Sequence, residues 1–417
     1  MKNISKSQSV LFGSLHANRW LAGAVALLAF GTANAQWSFE PELGVGAERD
    51  DNAKLSTRTD DILDVNGLLY RAEIRANYQS QLTDFFITPK FVSRNYDEES
   101  ELDSNDIFVE SLYRYRRESS ELRIRLNFDD ESARTAERSD IDLDVEDPDD
   151  IPDDSTGVVR FEGRRQRIRV RPDWTYDFND TSSMNVMLNY VDVGYDGQLQ
   201  QVLKDYSDSR LALTYNRAFS ERTIGTLMAT GRNYEVADNS SETTGYGLMA
   251  GFNRLLTETT RASVLVGIED VDSNVSKTDP TWVADISLRR RGQTVNALAQ
   301  YRRTVNASGS GKLGVRDAVN LNLSRRLSER ITAGIGMRAY STNSLDDLEL
   351  INERDYVQLR AQFIWNITSN FATEVDYRYT FQKRASLEES ANSNQVNLWF
   401  VYRPNAVDRR FEADLDL

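Results

Sequence analysis

The stretch from Ser120 to Asp129 reads Ser-Glu-Leu-Arg-Ile-Arg-Leu-Asn-Phe-Asp and alternates between apolar and polar residues from Leu122 onward. Successive side chains of a β-strand point to opposite faces, so this pattern predicts a strand with one apolar and one charged face. The same alternation recurs in segments 354–366 and 370–383. In a membrane barrel, a charged side chain that faces lipid at the bilayer midplane costs about 2–4 kcal/mol. If these strands span a membrane, their charged faces must therefore line the interior.

About eighteen segments of the chain have this strand-like pattern, and the connections between them alternate in length. Short turns, such as residues 118–119 and 328–329, alternate with long loops, such as 49–65 and 130–158. Transmembrane barrels have short turns on the periplasmic side and long loops outside. A soluble β-sandwich has no reason to sort its connections in this way. The sequence therefore predicts an all-β, transmembrane, antiparallel up-and-down β-barrel of about 18 strands with both termini in the periplasm.

Residues 1–35 have the features of a secretory signal peptide. Basic residues precede a short apolar segment at 21–30, and Ala33-Asn34-Ala35 is an A-x-A cleavage site. The apolar segment is too short for a membrane-spanning helix, which needs about 20 residues, although a retained signal anchor is the alternative. We expect the barrel to cover residues 36–403. Residues 404–417 are then either a tail or the terminal strand, and in the second case one of the other strand assignments is wrong.

Histidine and cysteine are missing from the predicted mature chain. The sequence has no Cys, and its single histidine, His16, lies in the predicted signal peptide. Disulfides, Ser-His-Asp or Cys-His catalytic arrangements and histidine-ligated metal sites are therefore excluded for residues 36–417. We predict that the protein is not an enzyme and needs no cofactor or metal. We also expect no nucleic-acid partner.

The predicted interior faces carry more arginines than carboxylates. The densest run is Arg165, Arg167, Arg169 and Arg171, four guanidinium groups at period two on one predicted strand. A lumen with one sign of charge concentrates ions of the opposite sign, and Arg can bind carboxylates and phosphates with two hydrogen bonds. We therefore expect a path for anions, including acidic sugars. The candidates for contact with cargo are Arg123, Arg125, Arg165, Arg167, Arg169, Arg171, Arg360 and Arg378.

The alternative interpretation is that the charges of these arginines are neutralised. They would then pair with carboxylates on neighbouring strands, or face lipopolysaccharide phosphates near the rim. The acidic charge of the chain is concentrated in loop 130–158, which has nine carboxylates between Asp140 and Asp154. Such a block repels itself, which favours a solvated loop. Calcium binding and insertion of the loop into the pore are the alternatives.

Three short motifs resemble the β-barrel porin type 2 family. They are Pro41 to Gly46 with the following Asp50-Asp51-Asn52, the turn motif Leu323 to Arg330, and the strand segment Val375 to Thr380. That family includes outer-membrane barrels associated with exopolysaccharide and exosortase (PEP-CTERM) gene clusters. The resemblance implies a role in the export or assembly of extracellular polysaccharide. It also implies two partners, an anionic polysaccharide and a periplasmic export protein.

Three functional hypotheses follow for a barrel in the bacterial outer membrane, where it would contact lipid and lipopolysaccharide. The first is a channel that conducts an exopolysaccharide along an arginine-rich lumen without chemistry. The second is a general diffusion porin for small anions. The third is a structural or adhesion barrel with a closed lumen, whose acidic loops bind surface polymers or partners.

Overall fold

The computed structural model describes residues 36–97, 99–138, 143, 163–237, 241–273, 279–309, 311–345, 353–384 and 390–404. The predicted signal peptide, most of the acidic loop and residues 405–417 lie outside the described residues. The described part of the chain forms eighteen β-strands and one short α-helix, α1 (Ala133–Glu137). The strands are β1 (Gln36–Asp50), β2 (Val65–Gln79), β3 (Thr83–Tyr96), β4 (Ser104–Arg117), β5 (Ser120–Ser132), β6 (Arg164–Asn179), β7 (Ser182–Tyr195), β8 (Tyr206–Ser220), β9 (Thr223–Val236), β10 (Glu242–Thr257), β11 (Thr260–Ser273), β12 (Thr281–Arg291), β13 (Val295–Ala307), β14 (Leu313–Ser328), β15 (Ile331–Ser344), β16 (Arg354–Asn366), β17 (Phe371–Arg384) and β18 (Ser390–Tyr402).

All eighteen strands belong to one antiparallel sheet in which each strand pairs with its neighbours in sequence. The sheet closes because β1 pairs with both β2 and β18. In the closing pair, Leu43 lies opposite Tyr402 and Asp50 lies opposite Gln395. Closure leaves the sheet without a free edge. The predicted up-and-down barrel is confirmed, and in the described part of the chain β18 closes it against β1. Whether residues 404–417 are a tail or a strand stays a prediction.

Side chains alternate between an apolar exterior and a polar interior along the strands. On β1, for example, Leu43 and Val45 are exposed on the outside, whereas Glu48 and Asp50 are buried inside. A soluble protein buries its large apolar side chains, so a continuous apolar exterior on a closed barrel is the arrangement that lipid requires. The other exposed apolar residues include Phe39, Leu126, Ile168, Leu213, Leu248, Ile268, Ile335, Phe363 and Leu398.

Aromatic rings cluster at the end of the barrel where the short turns lie, which we call the turn end. Trp37 contacts Phe39 and Tyr78, with ring centroids 5.9 and 5.2 Å away. Phe371 stacks on Phe400 with a centroid distance of 5.5 Å. These rings form part of an interfacial aromatic girdle of the kind that barrels have at the membrane surface. The closed sheet, the apolar exterior and the girdle identify a barrel of the bacterial outer membrane.

In the part of the chain that the structure describes, no helix has the length and apolar character needed to cross a membrane.

Candidate functional site: the barrel lumen

The structure places all eight candidate arginines on the inner face of the barrel. They lie on β5, β6, β16 and β17 and alternate with exposed apolar residues such as Leu126, Ile168 and Leu359. Their surroundings differ with distance from the turn end. The opposite end of the barrel, where the long connections lie, is called the loop end below. Contact of these arginines with cargo stays a prediction.

The two arginines of the run nearest the loop end are neutralised by acidic residues of β5. The register of β5 and β6 places Glu131 opposite Arg165 and Asp129 opposite Arg167. Arg165 Nη2 lies 2.6 Å from Glu131 Oε1, and Arg167 Nη2 lies 2.5 Å from Asp129 Oδ2. All four side chains are buried. For these two arginines, the structure shows the neutralisation that the sequence left as an alternative.

The other two arginines of the run have different neighbours. The same register places Asn127 opposite Arg169 and Arg125 opposite Arg171. On the other side of β5, Arg123 lies opposite Arg114 of β4. Like charges directly opposite each other on one face of a sheet destabilise the pairing. This cluster at the turn end, called the arginine wall below, consists of Arg114, Arg123, Arg125, Arg169 and Arg171.

Within the arginine wall, Arg123 contacts two carboxylates. Its Nε lies 3.0 Å from Glu121 Oε1, and its Nη2 lies 3.8 Å from Asp173 Oδ1. Arg171 Nε donates a hydrogen bond to Met187 Sδ over 3.1 Å, which is a weak acceptor. All five arginines of the wall are half-buried, unlike the buried Arg165 and Arg167. The side chains of the wall are therefore less deeply buried than those of Arg165 and Arg167.

Arg360 and Arg378 belong to the opposite side of the lumen. Arg360 Nε lies 2.5 Å from Asp376 Oδ2. Arg378 Nη1 donates to Gln395 Oε1 over 3.0 Å and to the backbone oxygen of Arg138 over 3.2 Å. Arg138 directly follows helix α1, so Arg378 contacts a segment from the far wall of the barrel. The sequence did not predict this contact.

Helix α1 folds inward from the end of β5 and lies in the lumen. Ser132 caps the helix, because its Oγ accepts a hydrogen bond from Thr135 N over 3.2 Å. Asp106 fixes the cap from β4 by accepting from Ser132 N over 2.8 Å. Leu143, further along the chain, is also buried, and its Cδ1 would be 2.7 Å from a Cβ added to Gly334 on the inner face of β15. Helix α1 and Leu143, both from the predicted loop 130–158, therefore lie in the pore.

Buried ion pairs hold α1 between distant strands. Arg134 Nη2 lies 2.7 Å from Glu48 Oε1 and 2.7 Å from Asp50 Oδ2 on β1. Glu137 Oε2 lies 2.6 Å from Arg354 Nη2 on β16. Burial by itself lowers the pKa of Arg134, but the charges around it, with Glu48 foremost, outweigh burial and hold its pKa well above the usual value. The helix thus links β5 to β1 and β16 through buried ion pairs.

An apolar cluster fills the other side of the loop end. Leu199 and Leu203, in the connection between β7 and β8, are buried against Tyr234 and Val305. The connection between β13 and β14 meets them, because Lys204 N donates to the backbone oxygen of Gly309 over 2.7 Å. Ala133 of α1 belongs to the same cluster. The filling of the loop end is therefore continuous from α1 to the strands β7–β14.

Two signals in the sequence could have indicated these features. The first signal is Leu199 and Leu203 in the predicted loop 195–206. Leucine is usually buried, so two leucines in one loop indicate packing. The second signal is Ser132 followed by Ala133 to Glu137, a capping residue ahead of helix-forming residues. Among the residues that the structure describes, no group of three or more His, Cys, Asp and Glu could hold a metal ion.

No protein-family model matches the chain, and no curated protein matches it. The family resemblance described above therefore stays a prediction. Solved structures with a similar barrel include the outer membrane channel DcaP of Acinetobacter baumannii, at 13% identity over 90% of this chain and 99% of that chain, with a TM-score of 0.42. OpdQ of Pseudomonas aeruginosa has 8% identity over 88% and 97% of the two chains, with a TM-score of 0.42. A mutant of the ferric enterobactin receptor PfeA of Pseudomonas aeruginosa has 9% identity over 88% and 80%, with a TM-score of 0.43.

Proposed function

We propose that the protein is an outer-membrane channel for anionic cargo, and that this cargo is an exopolysaccharide on its way out of the cell. The observation that carries the proposal is the arginine wall. Arg125 and Arg171 face each other across β5 and β6, and so do Arg114 and Arg123 across β4 and β5. Such pairs oppose folding, whereas an anion that passes along the wall would be attracted by all of them.

The position of the arginine wall supports export. Short turns of outer-membrane barrels lie on the periplasmic side, so the wall is at the end where cargo from the periplasm enters. A periplasmic export protein would deliver the polymer to this end, while lipid and lipopolysaccharide surround the barrel. The lumen acts through fixed charge without chemistry in this proposal, because histidine and cysteine are missing from residues 36–417.

Helix α1 and the apolar cluster bear on the size of the cargo. Both fill the loop end, so a polymer passes only if α1 leaves its buried contacts with Glu48, Asp50 and Arg354. The structure is then the closed form of the channel. The filled loop end equally favours the structural barrel, and the arginine wall equally favours a porin for small anions. Conductance separates the three.

The test is single-channel recording on the refolded chain 36–417 in planar bilayers, for the wild type and for Arg134→Ala, which releases α1. The expected result is an anion-selective conductance, in the variant at least, that an acidic oligosaccharide blocks and a neutral one does not. An open pore that is indifferent to the acidic sugar would favour the general porin. Silence from both proteins, with folding shown by circular dichroism, would contradict the channel and favour the structural barrel.

A further inference from the structure

A cavity of about 200 Å³ lies beneath helix α1. We propose that it binds one carboxylate-bearing sugar unit, a uronic acid, and that Lys90 is the cation that recognises the carboxylate. That a polymer passes this cavity is taken from the proposed function. The inference adds the chemical class of the polymer. The residues that line the cavity include Arg71, Lys90, Phe108, Gln362, Gln395 and Trp399.

Lys90 lines this cavity and has no carboxylate partner among the described residues. Its Nζ lies 5.7 Å from the centroid of the Phe108 ring. Among the described residues, it makes no hydrogen bond and has no carboxylate oxygen within 4 Å. Glu73 lies opposite Lys90 on β2, but its carboxylate is paired with Arg75 over 3.7 Å. An ammonium group that is removed from bulk water needs a compensating anion, and a ligand carboxylate would supply it.

Neighbouring arginines of the cavity are already paired. Arg71 Nη2 lies 2.8 Å from Glu42 Oε1 and 3.1 Å from Glu374 Oε2. Arg94 Nη1 lies 2.5 Å from Asp106 Oδ2. These arginines have carboxylates within the protein, so Lys90 is the group that a single added negative charge would complement. One lysine suits one carboxylate, whereas phosphate groups favour the forked contacts of several arginines.

Two aromatic rings give the cavity an apolar surface. A Cβ at Gly46 would lie 2.8 Å from the Trp399 ring, and one at Gly44 would lie 3.3 Å from it. Two glycines at alternate inner positions of β1 thus make room for the indole, and the Arg71 guanidinium lies 4.8 Å from its centroid. Phe108 lies directly opposite Lys90 in the register of β3 and β4. An aromatic surface with a few polar groups is the usual lining of a small-molecule site, and the C–H faces of a sugar ring pack on such surfaces.

Amide side chains complete the lining with hydrogen-bonding groups for hydroxyls. Gln395 is engaged, because its Oε1 accepts from Arg378 over 3.0 Å. The side chain of Gln362 faces the lumen on β16 and makes no hydrogen bond with any other described residue. Its amide can donate to and accept from a sugar hydroxyl. A cation, aromatic rings and an available amide together match a uronic acid better than an inorganic anion, which would use only the cation.

The experiment is isothermal titration calorimetry on the refolded chain 36–417 in detergent, with trigalacturonate and its methyl ester as probes. The ester has the same sugar ring and lacks the charge. The wild type is expected to bind the acid with an affinity at least about tenfold higher than that for the ester, because the ester lacks one charge-assisted contact. Lys90→Gln is expected to weaken binding of the acid to the same extent, and Gln362→Ala to weaken it severalfold.

Two control variants test whether the effect depends on position 90 and on its charge. Lys383→Gln removes an exposed lysine at the loop end of β17 and should leave binding unchanged. Lys90→Arg keeps the charge and should retain most of the affinity, so a loss in Lys90→Gln with folding intact is assigned to charge. Equal binding of acid and ester, equal binding by Lys90→Gln, or equally tight binding of acetate would overturn the inference.

The failure of this inference is distinguishable from failure of the proposed function. An anion-selective barrel that does not bind trigalacturonate would refute the cavity and leave the channel. A barrel that binds the acid through Lys90 but stays silent in bilayers would keep the site and refute the channel.

Discussion

The arginine run on β6 divides into two halves that have the same sequence pattern and opposite surroundings. Arg165 and Arg167, toward the loop end, are buried and lie 2.6 and 2.5 Å from the carboxylates of Glu131 and Asp129. Arg169 and Arg171, toward the turn end, are half-buried, and Arg171 lies opposite another arginine. The register with β5 makes the difference. A guanidinium opposite a carboxylate contributes to the fold, whereas the half-buried arginines toward the turn end are the ones that we propose for contact with cargo.

The largest expected effect follows from Arg134→Ala in helix α1. This substitution leaves Glu48 and Asp50 buried without their Arg134 partner, and breaking a buried pair costs about 3–5 kcal/mol. We expect α1 to leave the lumen, with a higher conductance and faster tryptic cleavage after Arg138 than in the wild type. The control is Arg49→Ala on the same strand as Glu48. Arg49 pairs with Asp64 in water, and a pair of that kind contributes about 0–1 kcal/mol. Unchanged conductance and protease protection in Arg134→Ala would contradict the role of these ion pairs.

A nearly equal effect is expected for Arg165→Gln, which leaves Glu131 buried and unpaired. The free energy of unfolding in urea should fall by about 3–5 kcal/mol. The double variant Arg165→Gln/Glu131→Gln removes both charges and should regain most of the loss, because two neutral amides can hydrogen-bond to each other. If the single and double variants are equally destabilised, the pair does not have the structural role assigned to it.

Leu199→Ala tests the apolar cluster at the loop end. Leu199 is 0% exposed, and truncation of a buried leucine to alanine costs about 2–5 kcal/mol. Since the cluster lies in connections between strands, we expect local opening, seen as faster hydrogen exchange in residues 197–205 and at Gly309. The matched control is Leu256→Ala at the turn end of β10, where the leucine is exposed. Equal exchange in the two variants would argue against a packed cluster.

The smallest effect, and one of opposite sign, is expected for Arg171→Gln. Relief of the repulsion from Arg125 should raise the free energy of unfolding by about 0.2–1 kcal/mol. The same substitution at Arg165 is destabilising, so the comparison depends on sign and not on magnitude alone. Loss of stability in Arg171→Gln as large as that in Arg165→Gln would mean that the two halves of the run are equivalent.

The fold could be predicted from the sequence because lipid imposes a two-residue period on every strand. Segments such as 120–129 therefore identify both the strand and its inner face. The partners of the arginines could not be predicted in the same way. Whether Arg165 lies opposite Glu131 or a neighbouring residue depends on register, and a shift of one residue would turn every side chain of a strand to the other face.

Helix α1 also could not be predicted from the sequence pattern. It has five residues, too few for an apolar period, and its position depends on Glu48, Asp50 and Arg354 from distant parts of the chain. Lys90 is a different case. It alternates with Phe91, which is exposed on the outside, so its inner position follows from the strand pattern. Only the structure shows that no carboxylate of the described residues pairs with it.

The most direct test of the central claim is the reversal potential in a KCl gradient. Two double variants are compared in the Arg134→Ala background, which releases α1 in both. Arg125→Gln/Arg171→Gln removes charge from the arginine wall, and Arg165→Gln/Glu131→Gln removes a neutral pair from the same two strands. We predict that the first variant loses most of the anion selectivity and that the second retains it. Equal selectivity in the two variants would contradict the assignment of function to the turn end of the lumen.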